Sequence, residues 1–286
     1  MTVRLLAAAL LSVVVLGCSA TGGVPGSPAT SAPTVASPSA SAPATASALG
    51  ADLTIYGAAS LAGVLDAAKA AYETANPGSK LTISTDSSAA LETQIEQGAP
   101  ADIFLAADTT NPKKLVDGGF AAGDAIDFAG NELTIIVPKG NPGKVSSPAD
   151  LARSGVKVVA AGDEVPITKY ASQLVKNLAK VSGYPADFEA GYARNVVSKE
   201  DNVKSVVAKV GLGEGDAGIV YVTDAKASTD VDTVPIPDGA NVPATYAGVV
   251  LKASHDAEAA KAFLDWLAGP DGQAILQESG FLPPAS

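Results

Sequence analysis

Two serines, Ser60 and Ser88, each follow a short apolar strand pattern and stand at the opening of a helical one. In LTIYGAASLAGVLDAAKAAYETA (53–75) the strand pattern stops at Tyr56, and Ser60 sits where an N-cap belongs. Apolar residues then recur at Leu61, Val64, Leu65, Ala68 and Tyr72, the spacing of one buried helical face. In LTISTDSSAALETQIEQGAPADIFLAAD (81–108), Ser87 and Ser88 precede a helix carrying Leu91 and Ile95. A helix start carries unpaired N–H groups and about half a positive charge, to which serine adds a hydroxyl donor. Two such starts aimed at one point hold an anion without any charged side chain. Taken singly, a serine at a helix start is an ordinary cap worth about 1 kcal/mol.

Other chemistries are poorly supplied. The single histidine, His255, lies beside Asp256 at a late helix start and reads as a solvated neighbour of a cap, which leaves no Ser–His–Asp relay. The turn Gly57-Ala58-Ala59-Ser60 misses the spacing of a nucleophile elbow, and no Gly-Lys-Ser/Thr phosphate loop is present. One histidine and one cysteine are too few for a zinc site. The seven tyrosines are isolated, unlike the neighbouring pairs that suit ferric iron. The reading is of a binding protein, not an enzyme, with no cofactor.

The segments AASLAGVLDAA, SSAALETQIEQGAPADIFLAAD, VPITKYA (165–171) and GIVYVTDA (218–225) resemble the substrate-binding proteins of molybdate ABC transporters, from about residue 51 to the end. The resemblance implies a two-lobed, periplasmic-binding-protein-like (type II) α/β fold. Each lobe is a mostly parallel sheet flanked by helices, with the ligand in the cleft. It places lobe one at 51–132 plus 245–286 and lobe two at 133–244. It also implies five oxyanion-binding positions. Ser60 and Ser88 give a hydroxyl and a backbone N–H each, Ile167 and Val203 a backbone N–H at helix starts, and Tyr221 its phenol. Such a donor-only set suits molybdate or tungstate, which offer only acceptors. The implied partner is an ABC permease, and the implied state a monomer. Sulfate or phosphate is the alternative ligand, and a surface interaction protein without an oxyanion the alternative class.

Two places depart from the family pattern. Thr168 and Lys169 stand where a glycine and a small or basic residue are common, and Thr168 could cap that helix or crowd the cleft. Asp86 replaces a small residue two positions before Ser88. It is expected to face solvent; turned inward, it would accept the proton of hydrogen phosphate.

The elements that must position these residues alternate along the chain. Strand-like runs fall at 53–56, 81–84, 102–106, 133–137, 156–160, 217–222, 232–236 and 245–251. Helical patterns fall at 60–75, 88–97, 111–118, 169–181, 202–211, 256–268 and 270–279. This order argues α/β architecture with mostly parallel sheets.

Ahead of them the chain has Arg4, then a nearly unbroken apolar run from Leu5 to Leu16, too short for the ~20 residues of a spanning helix. Residues 1–17 read as a signal peptide. Cys18, the only cysteine, resembles the acylated residue of a lipobox, which predicts a lipid anchor on the extracytoplasmic face of the membrane. Residues 19–50, almost wholly Ser, Ala, Thr, Pro and Gly, form a leash expected to be disordered, with a reach on the order of 30 Å. The net charge of −11 becomes −12 once Arg4 is set aside, which argues against nucleic acid as a partner. It also obliges any anion site to work through local dipoles.

Overall fold

The computed structural model describes residues 50–284; the signal, Cys18 and most of the leash lie outside the described residues. The chain begins β1 (Asp52–Ala58), a 3-10 turn (Ala59–Leu61), α1 (Ala62–Ala75), β2 (Lys80–Asp86) and α2 (Ser88–Glu96). β3 (Ile103–Ala106), α3 (Thr110–Asp117) and β4 (Ile126–Asn131) follow. Next come β5 (Leu133–Pro138), a second 3-10 turn (Pro148–Ala152), β6 (Val158–Ala161), α4 (Pro166–Leu178), α5 (Phe188–Asn195) and β7 (Val196–Glu200). α6 (Val203–Gly211), β8 (Ala217–Tyr221), α7 (Val222–Lys226) and β9 (Val231–Val234) lead to β10 (Ala244–Val250), α8 (Ala257–Ala268) and α9 (Pro270–Glu278).

Two five-stranded sheets result, ordered β2-β1-β3-β10-β4 and β7-β6-β8-β5-β9. β1 pairs parallel with β2 and β3, whereas β10 runs antiparallel to β3 and β4. The second sheet repeats the plan: β6 is parallel to β7 and β8, and β5 is antiparallel to β8 and β9. Each sheet thus has one reversed strand, the one entered on crossing from the other sheet. The chain crosses between Asn131 and Leu133 and returns between Val234 and Ala244.

Central strands read as continuous apolar runs because both faces are covered. β5 and β8 are buried along their whole length, as helix-flanked strands should be. Gly218 in β8 permits a close approach: a Cβ there would stand 2.9 Å from Val206 Cγ1 of α6 and 3.0 Å from the Val159 carbonyl. That fixes how near α6 lies to its sheet, and so where its N-terminus points. Around the first sheet, Tyr72 of α1 packs edge-on to Phe263 and Trp266 of α8, at ring distances of 5.0 and 5.1 Å. Such aromatic pairs add about 0.5–1.5 kcal/mol each beyond area burial.

Several elements depart from the sequence expectation. β4, β7, α5 and α7 were not expected. β4 (IDFAGN) carries Asp, Gly and Asn, which are poor strand formers, and owes its conformation to pairing with β10. β7 (VVSKE) is a half-exposed edge strand. The helix expected from 169 starts at Pro166, whose fixed φ and missing N–H suit a first turn. The helix expected from Ser60 starts instead at Ala62, because a 3-10 turn intervenes.

Candidate oxyanion site

Ser60, Ser88, Ile167, Val203 and Tyr221 all line one small cavity of about 10 Å³. They come from five separate segments, three of them helix starts. Among the described residues, no lysine, arginine, aspartate or glutamate is part of its wall.

Ser60 lies in the 3-10 turn after β1 and is 8% exposed. It does not cap α1, whose N-cap position is Leu61 with no side-chain hydrogen bond. Its Oγ lies instead 2.9 Å from Tyr246 Oη of β10. At α2 the two serines divide the work. Ser87 is the cap, its Oγ accepting from the Ala90 N–H at 3.2 Å. Ser88 is the first helical residue, 1% exposed, and its Oγ accepts from the Ala107 N–H at 3.0 Å. A hydroxyl whose oxygen already takes a main-chain proton keeps its own proton to give.

In the second half of the molecule, Pro166 opens α4 and has no N–H, so Ile167 is the first residue of that helix with a backbone donor. Thr168 neither caps α4 nor crowds the cavity: its hydroxyl is engaged with the Ala161 and Gly162 carbonyls at 3.1 and 2.8 Å. Lys169 Nζ reaches Thr110 Oγ1 at 3.0 Å. Val203 begins α6, capped by Asn202, whose Oδ1 accepts from the Ser205 N–H at 3.1 Å. Tyr221 ends β8, 1% exposed, its Oη 3.4 Å from the Ala107 carbonyl. Burial, the largest cause, pushes its phenol well above the usual tyrosine range, so it keeps the proton that it donates to that carbonyl.

The starts of α2, α4 and α6 therefore carry partial positive charge toward one point, with neutral side-chain donors between them. The arrangement can satisfy a small anion that brings only acceptors, and it offers no nucleophile–base pair.

Asp86 corrects the sequence expectation. It does not face solvent freely. Its Oδ1 accepts from the Ser87 N–H at 2.7 Å and from Asn202 Nδ2 at 3.1 Å, joining the end of β2 to the cap of α6. It is not part of the cavity wall. His255 is exposed beside the cap of α8, as expected, its N–H donated to Asp102 at 3.1 Å. Sequence reasoning missed Tyr246, Asn131 and Asp224. Tyr246 and Asn131 are 0% and 1% exposed, and they meet Ser60 only through contacts across the fold. Asp224, in α7, is buried with Oδ2 unpartnered, and burial pushes its acid up to about 7 against the opposing pull of the Tyr221 backbone and Lys204. It lines a larger chamber of about 570 Å³ that shares Ser60 with the small cavity.

Residues 53–282 match the model of a family described as bacterial extracellular solute-binding protein. The molybdate-binding protein ModA of Mycobacterium tuberculosis is 34% identical over 233 residues, which cover 81% of this chain and 85% of that protein. Among solved structures, the substrate-binding domain ascribed to a molybdenum ABC transporter from Clostridium difficile is 31% identical, with a TM-score of 0.62 over 82% of this chain and 99% of that one. The Azotobacter vinelandii periplasmic molybdate-binding protein, at 24% identity, has a TM-score of 0.69 over 82% of this chain and all of its own, a likeness of fold. The two-sheet α/β architecture is thus that of two-lobed periplasmic binding proteins, and the chain belongs to the bacterial extracellular solute-binding protein family.

Proposed function

We propose that this protein is an extracytoplasmic receptor that captures molybdate, and tungstate with it, and delivers the oxyanion to an ABC permease. The observation that carries this reading is the convergence of Ser60, Ser88, Ile167, Val203 and Tyr221 on one cavity with no carboxylate in its wall. The relatives whose names specify molybdate or molybdenum support it.

The cavity has room for about one water-sized centre. A tetrahedral oxyanion is larger, so the two halves part to admit it and settle around it. Closure then replaces the anion's hydration by fixed N–H and O–H donors, which cost little reorganisation. Donors set for long metal–oxygen bonds leave sulfate short of some of them. The hydrogen bonds of Asp86 to Ser87 and Asn202 remove the feature that would have favoured hydrogen phosphate.

The reading extends to the rest of the chain. Residues 1–17 serve as a signal peptide, acylated Cys18 anchors the mature protein, and residues 18–50 form its leash. One lobe consists of 51–132 with 245–286 and the other of 133–244; the membership of the two sheets supports this division. The receptor acts as a monomer.

The test is substitution of the two serines. Ser60→Ala and Ser88→Ala are each expected to weaken molybdate binding by more than about tenfold in calorimetric titration, the scale of a charge-assisted hydrogen bond. Wild-type affinity in both variants would remove the site.

A further inference from the structure

Ser60 can donate to an anion only if its proton is not spent inside the protein. The 2.9 Å contact between Ser60 Oγ and Tyr246 Oη does not itself say which oxygen donates. The direction is set one residue further back. Asn131 Oδ1 accepts the Glu132 N–H at 2.9 Å, which fixes the orientation of the amide. Asn131 Nδ2 therefore faces Tyr246 Oη, at 3.4 Å, and Thr223 Oγ1, at 2.9 Å. An amide nitrogen only donates, so the phenol oxygen accepts from Asn131.

The phenol has one proton to place. Burial holds Tyr246 well above the usual tyrosine range, so that proton is kept. Asp224 bears on Tyr246 through charge alone: among the described residues the side chains hydrogen-bonded to the phenol are Ser60 and Asn131, and Asp224 Oδ2 has no partner. Tyr246 is 0% exposed, which leaves no solvent acceptor. Among the described residues, Ser60 Oγ is the acceptor that remains. With that oxygen occupied, the Ser60 proton is left for the cavity.

We infer that Tyr246 and Asn131 are positioning and specificity-determining residues, a one-way relay that keeps the Ser60 proton free for the cavity and biases the site toward oxyanions carrying no proton. The inference rests on the oxyanion reading of the cavity. Ser88 reaches the same polarity by another route, since the Ala107 main chain donates into its oxygen. The polarity of Ser88 is built into the backbone, whereas that of Ser60 depends on two side chains and is open to mutation.

Tyr246→Phe removes the relay's last oxygen while the ring keeps its packing against Phe128 and Phe281. The experiment is calorimetric titration of the full chain and its Tyr246→Phe, Ser60→Ala and doubly substituted forms. The probes are molybdate and, at mildly alkaline pH, hydrogen phosphate, read by competition where direct heats are small. Tyr246→Phe is expected to weaken molybdate roughly three- to tenfold in the wild-type background, the worth of one hydrogen bond, and not at all when Ser60 is alanine. It should also shift the preference toward hydrogen phosphate, because the freed Ser60 oxygen can accept that ligand's proton. Equal losses in both backgrounds with an unchanged preference would overturn the relay alone and leave Tyr246 a packing residue. A wild-type chain that binds no tetrahedral oxyanion would overturn the cavity reading and the relay with it.

Discussion

Asp224 shows what burying a single acid does to this fold. Burial pushes its carboxyl from 3.8 up to about 7, with the Tyr221 backbone and Lys204 only partly opposing it. Below the unfolded value the acid is protonated in both states and costs nothing. As pH rises from there to about 7, the unfolded chain ionises while the folded one holds its proton, so stability falls across that window. Each unit is worth about 1.4 kcal/mol. Asp224→Asn is therefore expected to lose less stability than wild type between about pH 4.5 and about pH 7.5 in urea unfolding; an unchanged slope would contradict the assignment. Individual residues were only partly legible from sequence. Ser60 and Ser88 stood out because each opens a helical pattern within recognisable flanks. Tyr246 gave no such signal, since its role exists only through Ser60, 186 positions away. Asp86 misled for the same reason: its partner Asn202 is 116 positions distant.

The start of α2 separates two jobs that adjacent serines perform. Ser87 borders the cavity too, but its hydroxyl caps α2: Ser87→Ala removes the bond from Ala90 and is expected to cost about 1 kcal/mol of stability while leaving molybdate affinity within about threefold. Ser88→Ala instead removes a cavity donor and orphans the Ala107 N–H. Thermal unfolding and titration of the pair distinguish the roles; a large affinity loss in Ser87→Ala would mean the two had been assigned the wrong way round. The alternation of strands and helices was legible because β5 and β8 are continuous apolar runs and β1 carries Leu53 and Ile55 ahead of a small-residue turn. β4 and β7 were not, because pairing with β10 and β6 overrides weak local preference. α7 follows β8 without a break and is five residues long, so its first residue passes in sequence for a sixth strand position. The 3-10 turn at Ser60 was hidden because its residues satisfy the helical spacing of α1.

Across the whole molecule, the two sheets are tied over the cleft by a few polar contacts: Asp86 with Asn202, Lys169 with Thr110, Tyr170 with the Thr245 carbonyl, and Tyr221 with the Ala107 carbonyl. Asp86 acts as a clasp and not as a ligand-choosing residue. Asp86→Ala is accordingly expected to weaken molybdate and tungstate by similar factors without gaining a response to phosphate, and a gain of phosphate binding would contradict that role. The net charge of −11 opposes a dianion at long range, so affinity must arise locally, where the helix-start donors line the small cavity. The most direct measurement is thermal unfolding of the full chain titrated separately with molybdate, tungstate, sulfate and phosphate. A ligand at a hundred times its dissociation constant adds about 2.7 kcal/mol to the folded state. The account predicts a rise in Tm at micromolar molybdate and tungstate and none at equal sulfate or phosphate; a rise with phosphate alone, or with no oxyanion, would contradict it.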